Sequence, residues 1–427
     1  MSDGTEARSA AARLVLGVTE GATALSDQIA RGALVGLAPP DRARAQRLAL
    51  TTLRRLGGLD AVLKPLLRKP PPAFVRAILQ VALAEILAEG APAHAVINEA
   101  VSITRAVGRK TEGFAGMVNA VLRRTTATPL ETFAAQPPQA LPGWLRGRLM
   151  SAWGKPATMA MEAAQAKGAA IDLTPRDGDA AALAARLGGV ALPTGSVRLA
   201  QPAQVSELPG YVAGDWWVQD AAAALPARAL ATRPGERVLD LCAAPGGKTL
   251  QLAAAGADVT SLDRSASRME RVTENLARCR LGATAVVADA LAWQPDRLFD
   301  AVLLDAPCSA TGTIRRHPDL PFVKDASGLK DLFALQAALI DRALGFLAPG
   351  GRLVFATCSL LPDEGERQVT AALARHSGLA ADHAALDLPG LDPQWVSTEG
   401  GLRLRPDYWP DLGGMDGFYV AALRRPA

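Results

Sequence analysis

Cysteine and histidine are scarce in this sequence. Its 427 residues include four histidines and four cysteines, the latter at Cys242, Cys279, Cys308 and Cys358. No two cysteines are spaced as a Cys-x-x-Cys pair, so the sequence predicts no zinc site, and we expect no bound metal. A chain of this length needs no disulfides for stability, and we therefore expect free thiols and a cytoplasmic protein.

Long hydrophobic runs are also lacking. No stretch of about 18 uncharged apolar residues occurs, which argues against a transmembrane helix. The first residues, MSDGTEARSAAARLVLGV, mix acidic and basic side chains and contain no long apolar run. We therefore expect neither a signal peptide nor an association with a membrane.

Neither sign of charge dominates. There are 46 lysine and arginine residues against 42 aspartate and glutamate residues, a net charge of +4. This mild excess is compatible with a polyanionic partner such as nucleic acid, and equally with an ordinary soluble protein. Hydrophobic residues make up 49% of the chain, which suffices for two or three domains with cores of their own.

The spacing of apolar residues divides the chain into segments of different type. Residues 1–127 carry apolar residues at helical spacing, broken by prolines, which predicts an all-α bundle. Residues 128–141 are rich in threonine, proline and alanine and are predicted to be a linker. Residues 142–215 mix helical and strand-like pieces, which predicts a small α+β segment. Over 216–427, apolar strands alternate with helices, which predicts a Rossmann-like α/β domain with a mostly parallel sheet.

A glycine-containing loop follows the first strand of the α/β region. The sequence ERVLDLCAAPGGKT runs from a buried strand into a helix. Small residues allow a ligand to approach the backbone, and N–H groups at a helix N-terminus bind anionic groups. Many such turns need glycine for geometry alone, so the loop by itself is weak evidence for a ligand. The residues of this loop are Cys242, Ala243, Ala244, Pro245, Gly246, Gly247 and Lys248.

Three aspartates stand at the ends of successive predicted strands. Asp263 ends SLD, Asp289 ends VVAD and Asp305 ends LLD. Ligands of open parallel sheets bind outside the carboxyl ends of the strands, so these carboxylates are expected at the same edge as the glycine loop. Each one alone is explained as well by a helix N-cap, but three in succession favour a ligand site.

Two cysteines also follow predicted strands. Cys308 lies in DAPCSATG and Cys358 lies in ATCS. A free cysteine is most often a small buried hydrophobe. At the edge of the sheet that carries the glycine loop, however, a pair of thiols favours covalent catalysis, in which a thiolate attacks the substrate.

Two arginines follow Cys308 on a predicted loop. Arg315 and Arg316 lie in IRRHPD. Guanidinium groups beside a catalytic loop are suited to RNA phosphates, and a solvated surface pair is the alternative. We predict RNA binding by these two residues and assign no catalytic role to His317.

The loop DLCAAPGGKT resembles the cofactor loop of the RNA cytosine-5 methyltransferases, the family named after Nol1, Nop2 and Sun. The resemblance implies that S-adenosylmethionine is the cofactor and that residues 242–248 embrace it. It also implies that Asp263 holds the ribose of the cofactor and that Asp289 lies near the adenine.

The same resemblance assigns the catalytic residues. It implies that Cys358, in the ATCS motif, is the nucleophile, and that Cys308, in the DAPCS motif, assists release of the product. Asp305 is expected to contact both the target base and the cofactor. Chemically, C5 of cytosine is a poor nucleophile, and addition of a thiolate to C6 makes C5 reactive enough to accept a methyl group.

The helical segment resembles the domain of the antitermination factor NusB, which binds RNA. The resemblance rests on PAHAVINEAV and on GMVNAVLRR. A NusB-like domain joined to this methyltransferase region is similar to bacterial enzymes that act on 16S rRNA, so we expect that RNA as the partner of a monomeric enzyme. The chain departs from the family where it reads IDLTPR in the middle segment and DEGE after Cys358.

Two other functions remain open on the sequence. One is a tRNA cytosine-5 methyltransferase with the same chemistry. The other is a non-catalytic RNA-binding assembly or antitermination factor that retains a cofactor fold. The NusB-like segment argues against the first, and the two cysteines with a complete cofactor loop argue against the second.

Overall fold

The computed structural model describes residues 3–201 and 204–426, which form two compact units. One unit comprises the described residues up to Gly168 together with Ile314–Ala326. The other comprises Ala169–Thr313 and the described residues from Ser327 onwards. No helix within the described residues is both long and apolar enough to cross a membrane.

The first unit is entirely helical. In its third helix, buried residues recur at intervals of three and four, namely Ala45, Leu48, Ala49, Thr52 and Leu53, so that one face of the helix packs inward. A π-helical turn at Ala84–Ala88 continues the fifth helix. The helices are α1 (Asp3–Thr19), α2 (Leu25–Ala30), α3 (Pro39–Arg54), α4 (Leu56–Leu63), α5 (Ala73–Leu83), α6 (Ala93–Ala106), α7 (Arg109–Glu112), α8 (Ala115–Thr125), α9 (Leu130–Ala134) and α10 (Gly143–Lys167).

The first unit extends beyond the segment that was expected to form the bundle. The expected linker contains α9, whose Phe133 is buried in the core of this unit. Helix α10, in the expected α+β segment, also belongs here, and its helical backbone is interrupted at Gly154. The helical unit therefore continues to Gly168, beyond residue 127.

A short stretch from the C-terminal half of the sequence completes the first unit. Residues 314–326 contain α15 (Leu320–Val323), and Phe322 and Val323 pack against the core of the bundle. The Asp319 carboxylate accepts a hydrogen bond of 2.9 Å from the backbone N–H of Leu25. This stretch carries the Arg315 and Arg316 of the RNA-binding prediction.

The second unit begins with a small antiparallel sheet. Its strands are β1 (Asp172–Pro175), β2 (Gly189–Ala191), β3 (Val197–Leu199) and β4 (Trp216–Val218), in the order β2-β3-β1-β4, with α11 (Ala180–Leu187) between β1 and β2. Asp172 and Arg198 are cross-strand partners, and their side chains form a buried bidentate ion pair with both N–O distances at 2.7 Å. Asp172, at a departure from the family pattern, thus has a structural partner within the sheet.

The larger sheet follows. Its strands are β5 (Arg237–Leu241), β6 (Asp258–Asp263), β7 (Thr284–Val287), β8 (Phe299–Asp305), β9 (Leu347–Thr357), β10 (Ala380–Ala381), β11 (Leu402–Leu404) and β12 (Phe418–Arg424). The accompanying helices are α12 (Ala221–Leu230), α13 (Gly247–Ala254), α14 (Ala266–Cys279), α16 (Leu329–Gly345) and α17 (Glu366–Arg375).

The strand order places the switch in chain direction at β5. The order is β10-β12-β9-β8-β5-β6-β7, with β11 paired to β12, and strands β5 to β9 are mutually parallel. The chain moves outward from β5 through β6 and β7, then returns to the other side of β5 as β8. Crevices for ligands form at such switch points, at the carboxyl ends of the strands. The predicted fold class, a helical bundle with a mostly parallel α/β domain and a small further sheet, is confirmed.

Candidate active site

The loop from β5 to α13 turns sharply at the switch point. Gly246 has a φ of 102°, and a Cβ atom there would lie 3.3 Å from the Cα atom of Val272 on α14. The turn is closed by a hydrogen bond of 2.8 Å from the Gly246 N–H to the Ala243 carbonyl. A residue with a side chain would be strained and crowded at this position, which explains the glycine in physical terms.

Asp263, at the end of β6, holds the middle of this loop. Its buried carboxylate accepts a hydrogen bond of 3.3 Å from the Ala244 N–H and lies 3.6 Å from the Arg268 guanidinium. Arg268 in turn donates a hydrogen bond to the Ala244 carbonyl. These contacts tie the loop to the residues at and after the end of β6.

Asp240 lies fully buried within β5, directly behind the loop. Thr249 donates a hydrogen bond of 2.6 Å to its Oδ2, whereas its Oδ1 has no hydrogen-bond partner within the described residues. Burial raises the pKa of Asp240 to about 7, although the hydrogen bond from Thr249 and the charge of Lys248 act in the opposite direction. A buried carboxylate with a free oxygen is suited to a cationic ligand.

Lys248, in the first turn of α13, connects the loop to β8. Its ammonium group lies 2.7 Å from the Asp305 carboxylate, and its side chain is 9% exposed. Burial by itself would lower the pKa of Lys248, but the charge of Asp305 and this hydrogen bond outweigh burial, so the pKa is raised. Lys248 therefore remains a cation among the carboxylates of the site.

The two predicted catalytic cysteines lie side by side. Cys308 follows β8 and Cys358 follows β9, and their Sγ atoms are 3.4 Å apart. Both residues are partly exposed. The hydrogen bond with Cys358, together with burial, holds the pKa of Cys308 well above its usual range. Cys308 is therefore a neutral thiol that can donate a proton toward the sulfur of Cys358.

Backbone hydrogen bonds join the loop of Cys358 to the segments that contain Gly312 and Gly417. The Gly312 N–H donates a hydrogen bond of 3.0 Å to the Cys358 carbonyl, and the Gly417 N–H donates one of 2.9 Å to the Gly312 carbonyl. A Cβ atom on Gly312 would lie 1.9 Å from the Gly417 carbonyl oxygen, so the two backbones could not approach so closely with any larger residue.

A buried glutamate also lies between the two cysteine loops. Glu364 is fully buried and accepts hydrogen bonds from Ser309, which follows Cys308, and from Ser359, which follows Cys358. Gln336 on α16 donates a further hydrogen bond of 3.0 Å to Glu364 and one of 2.9 Å to the Pro307 carbonyl.

The remaining predicted residues are placed as follows. Asp289, after β7, is exposed, and its carboxylate accepts a hydrogen bond of 2.9 Å from the Leu291 N–H. Cys242 has a φ of 60°, and burial, with the charges of Asp305 and Asp263, raises its pKa to about 12. At physiological pH Cys242 is therefore a thiol and contributes no charge to the loop.

The two arginines of the RNA-binding prediction differ in exposure. Arg315 is fully buried, and its carbonyl accepts a hydrogen bond of 3.0 Å from Arg54 within the first unit. Arg316 is partly exposed. A contact between RNA and Arg315 would require that side chain to leave its buried position, whereas Arg316 is accessible in part. RNA binding by these two residues stays a prediction.

Sequence reasoning missed two buried acids of the site. Asp240 was visible as an acid inside the apolar strand RVLDL, a signal that could have been used. Glu364 stands in the polar stretch DEGE, which is typical of an exposed turn, so its burial left no trace in the sequence.

Two known families match parts of the chain. Residues 227–424 match the family described as 16S rRNA methyltransferase RsmB/F, and residues 5–127 match the NusB family. The NusB-like and methyltransferase resemblances seen in the sequence are thereby confirmed. The alternative of a non-catalytic factor is not supported, because the matched relatives are named as enzymes.

Similar proteins cover the whole length of the chain. The Ribosomal RNA small subunit methyltransferase B of Xanthomonas campestris is 37% identical over 98% of this chain and 97% of its own length. The protein of the same name from Pseudomonas putida is 37% identical over 97% of this chain and 98% of its own length.

Solved structures share the fold. The structure of the protein PH0851 covers 98% of this chain and 99% of its own, with a TM-score of 0.74 and 22% identity. The structure of a methyltransferase homologue from Pyrococcus horikoshii covers 65% of this chain and 93% of its own, with a TM-score of 0.54 and 26% identity. The chain belongs to the 16S rRNA methyltransferase RsmB/F family and is an RNA methyltransferase that depends on S-adenosylmethionine.

Proposed function

We propose that this enzyme methylates C5 of a cytosine in 16S rRNA through a covalent adduct between Cys358 and C6 of the base. The observation that carries the proposal is the pair of thiols 3.4 Å apart at the ends of β8 and β9, beside the Lys248–Asp305 ion pair. Relatives over the full length of the chain are named small-subunit rRNA methyltransferases, which supports the choice of RNA.

The residues at the switch point fit S-adenosylmethionine. The free Oδ1 of buried Asp240 suits a cationic group of the cofactor. Residues 242–248 would line the cofactor, with Asp263 and Asp289 offering carboxylates to its ribose and adenine sides. When bound, S-adenosylmethionine supplies an electrophilic methyl group on a sulfonium.

Cys358 is the proposed nucleophile. The Cys358 side chain interacts electrostatically with the cation of Lys248. The Cys308 thiol can donate a hydrogen bond to the sulfur of Cys358. A thiolate, rather than a thiol, is the attacking species in such an addition. The thiolate forms a bond to C6 of cytosine, and the electron pair of the C5–C6 double bond moves to C5, which becomes the methyl acceptor.

Cys308 and Asp305 are proposed to act on the base around that step. Asp305, which ends β8 shortly before Cys308, is proposed to hold N3 or N4 of the cytosine by hydrogen bonding, which favours addition at C6. After methylation, the C5 proton leaves to a base in the solvent and its bonding pair re-forms the C5–C6 double bond. The bond between Cys358 and C6 breaks, and its electron pair returns to the Cys358 sulfur. Cys308, adjacent to the adduct, assists this release.

The substrate base must be reached from both faces of its ring. Cytosine in a loop, or extruded from a helix, satisfies this requirement. Partly exposed Arg316 is proposed to contact an RNA phosphate. Unmodified or incompletely assembled 16S rRNA is therefore the expected substrate, since the base must be accessible.

The test is methyl transfer from labelled S-adenosylmethionine to unmodified 16S rRNA. We expect wild type to form 5-methylcytosine, Cys358→Ala to form none, and Cys308→Ala to accumulate an RNA adduct that survives denaturant. Cys279→Ala, which removes a buried thiol on α14, is the matched control and should retain activity.

Other outcomes would overturn separate parts of the proposal. Labelling of tRNA alone would leave the chemistry standing and refute the substrate. Full activity of Cys358→Ala would refute the nucleophile and transfer that role to Cys308.

A further inference from the structure

Glu364 is an acid in the core of the second unit, between the two loops that carry the catalytic cysteines. Its Oε1 accepts hydrogen bonds of 2.8 Å from the Ser309 N–H and 3.0 Å from the Gln336 amide. Its Oε2 accepts hydrogen bonds from the hydroxyls of Ser309 and Ser359, the latter at 2.5 Å. Four donors thus converge on one carboxylate.

The partners of Glu364 flank the cysteines directly. Ser309 follows Cys308, Ser359 follows Cys358, and Gln336 also holds the Pro307 carbonyl, which precedes Cys308. The carbonyl of Glu364 itself accepts a hydrogen bond of 2.9 Å from the Thr357 hydroxyl, on the residue before Cys358. Both cysteines are therefore held on either side by contacts that depend on residue 364 or its partner glutamine.

The chemistry of this site differs from that of an ordinary structural ion pair. Glu364 is fully buried, and the side-chain partners of its carboxylate in the described residues are neutral serine and glutamine groups. Burial of an unpaired carboxylate is costly unless hydrogen bonds satisfy it, and a hydrophobic residue would fill the same volume without that cost. The presence of a charge here needs a reason beyond packing.

The charge acts on one thiol in particular. The pKa of Cys308 is raised first by the hydrogen bond with Cys358, then by burial, and further by the negative charges of Cys358 and Glu364. A protonated Cys308 can donate its hydrogen to the sulfur of Cys358, whereas two adjacent thiolates would repel each other.

We propose that Glu364 is a positioning residue that sets the spacing of the two cysteine loops and keeps Cys308 in its protonated form. The proposal rests on the proposed function, since it assumes that Cys358 is the nucleophile. It assigns to Glu364 no contact with RNA or cofactor; the residue acts through the loops that it holds.

Two substitutions of Glu364 separate the effect of its charge from the effect of its side-chain length. In Glu364→Gln, the amide oxygen can face the two fixed N–H donors, while its NH2 group faces the serine hydroxyls, which can rotate to accept. Glu364→Gln therefore retains the hydrogen bonds and removes the charge. Glu364→Asp retains the charge and withdraws the carboxylate by one bond length.

The expected results differ between the two variants. For Glu364→Asp, we expect kcat to fall about 100-fold, because misplacement of reacting groups by about 1 Å has effects of this size, while KM for S-adenosylmethionine changes little. For Glu364→Gln, we expect a smaller loss of kcat and a shift of Cys308 alkylation by iodoacetamide toward lower pH, measured by mass spectrometry of the full chain.

A matched control and a third variant complete the experiment. Glu236→Gln makes the same chemical change at an ion pair with Arg352 near the opposite end of β5 and should leave both readouts as in wild type. If Glu364→Asp proves to be unfolded, Ser359→Ala, which removes one donor and leaves Glu364 in place, should still lower kcat and leave the KM for S-adenosylmethionine unchanged.

Two results together would overturn the proposed role of Glu364. It fails if Glu364→Gln alkylates with the wild-type pH profile and Glu364→Asp, when folded, retains wild-type kcat. The alkylation profile needs neither RNA nor cofactor. A wild-type enzyme that forms no 5-methylcytosine would therefore refute the proposed function, while the profile would still decide the role of Glu364.

Discussion

Asp240 should make the second unit less stable as pH rises, and Asp240→Asn should remove this dependence. The acid is fully buried, and its pKa is raised from 3.8 to about 7, chiefly by burial. In the unfolded chain it loses its proton near the lower value, whereas the folded chain retains the proton until about pH 7. Between these values unfolding releases a proton, so increasing pH favours unfolding.

The size of the effect follows from the two pKa values. Linkage between pH 5 and pH 8 gives a loss of about 2–3 kcal/mol in the unfolding free energy of wild type relative to Asp240→Asn. Comparing the change in unfolding free energy with pH between wild type and Asp240→Asn cancels the contributions of the other titrating groups. It also cancels any constant cost of the asparagine amide, whose NH2 group would replace the unpaired Oδ1.

The assay is chemical denaturation at the two pH values, followed by hydrogen exchange of peptides from β5, which report on the second unit alone. Thr249→Val is a useful companion, since it removes the hydrogen bond to Asp240 and should raise the pKa of that acid further. Parallel pH dependence in wild type and Asp240→Asn would refute the reasoning, because the buried acid would then not titrate differently in the two states.

Three further predictions concern neighbouring features. Lys248→Met removes the cation of a buried ion pair and should lower single-turnover methyl transfer by at least about 100-fold, with a pH profile altered from wild type. Gly246→Ala should weaken S-adenosylmethionine binding about 10-fold by calorimetry, whereas Gly235→Ala, with a φ of 78° but open space around it, should change only stability. Asp172→Asn breaks the buried pair with Arg198 and should lower the unfolding free energy by about 3–5 kcal/mol in urea denaturation, with little effect expected from exposed Asp177→Asn.

The sequence was a good guide wherever a local pattern decides the structure. The loop 242–248 and the acids Asp263, Asp289 and Asp305 follow strands of one parallel sheet, so strand and helix periodicity sufficed to place them at one edge. The same periodicity placed the two cysteine motifs after strands, whereas the roles expected of the two cysteines came from the family resemblance. Their separation of 3.4 Å, however, depends on the pairing of β8 with β9 and on the loops beyond them.

Other features depend on contacts between residues far apart in the chain. The assignment of residues 314–326 to the helical unit arises from packing of Phe322 and Val323 against a core formed some 200 residues earlier, and no local pattern encodes such a contact. Arg315 lies in the same stretch, and its burial likewise depends on residues far away in the chain, such as Arg54. The RNA-binding prediction treated Arg315 and Arg316 alike because two adjacent arginines look equivalent in a sequence.

The sequence by itself determined most of the succession of helices and strands, the glycine loop after β5 and the two cysteine motifs, because each is written in residues close together along the chain. Only the tertiary structure decided which acid accepts hydrogen bonds from the residues that follow the two cysteines. Glu364 reaches Ser309 across 55 residues of sequence, and its charge is tolerated in the core only because four donors meet there. Hydrogen-bond satisfaction of a buried group is a property of assembled elements, so it becomes visible only once β8, β9 and α16 are packed together.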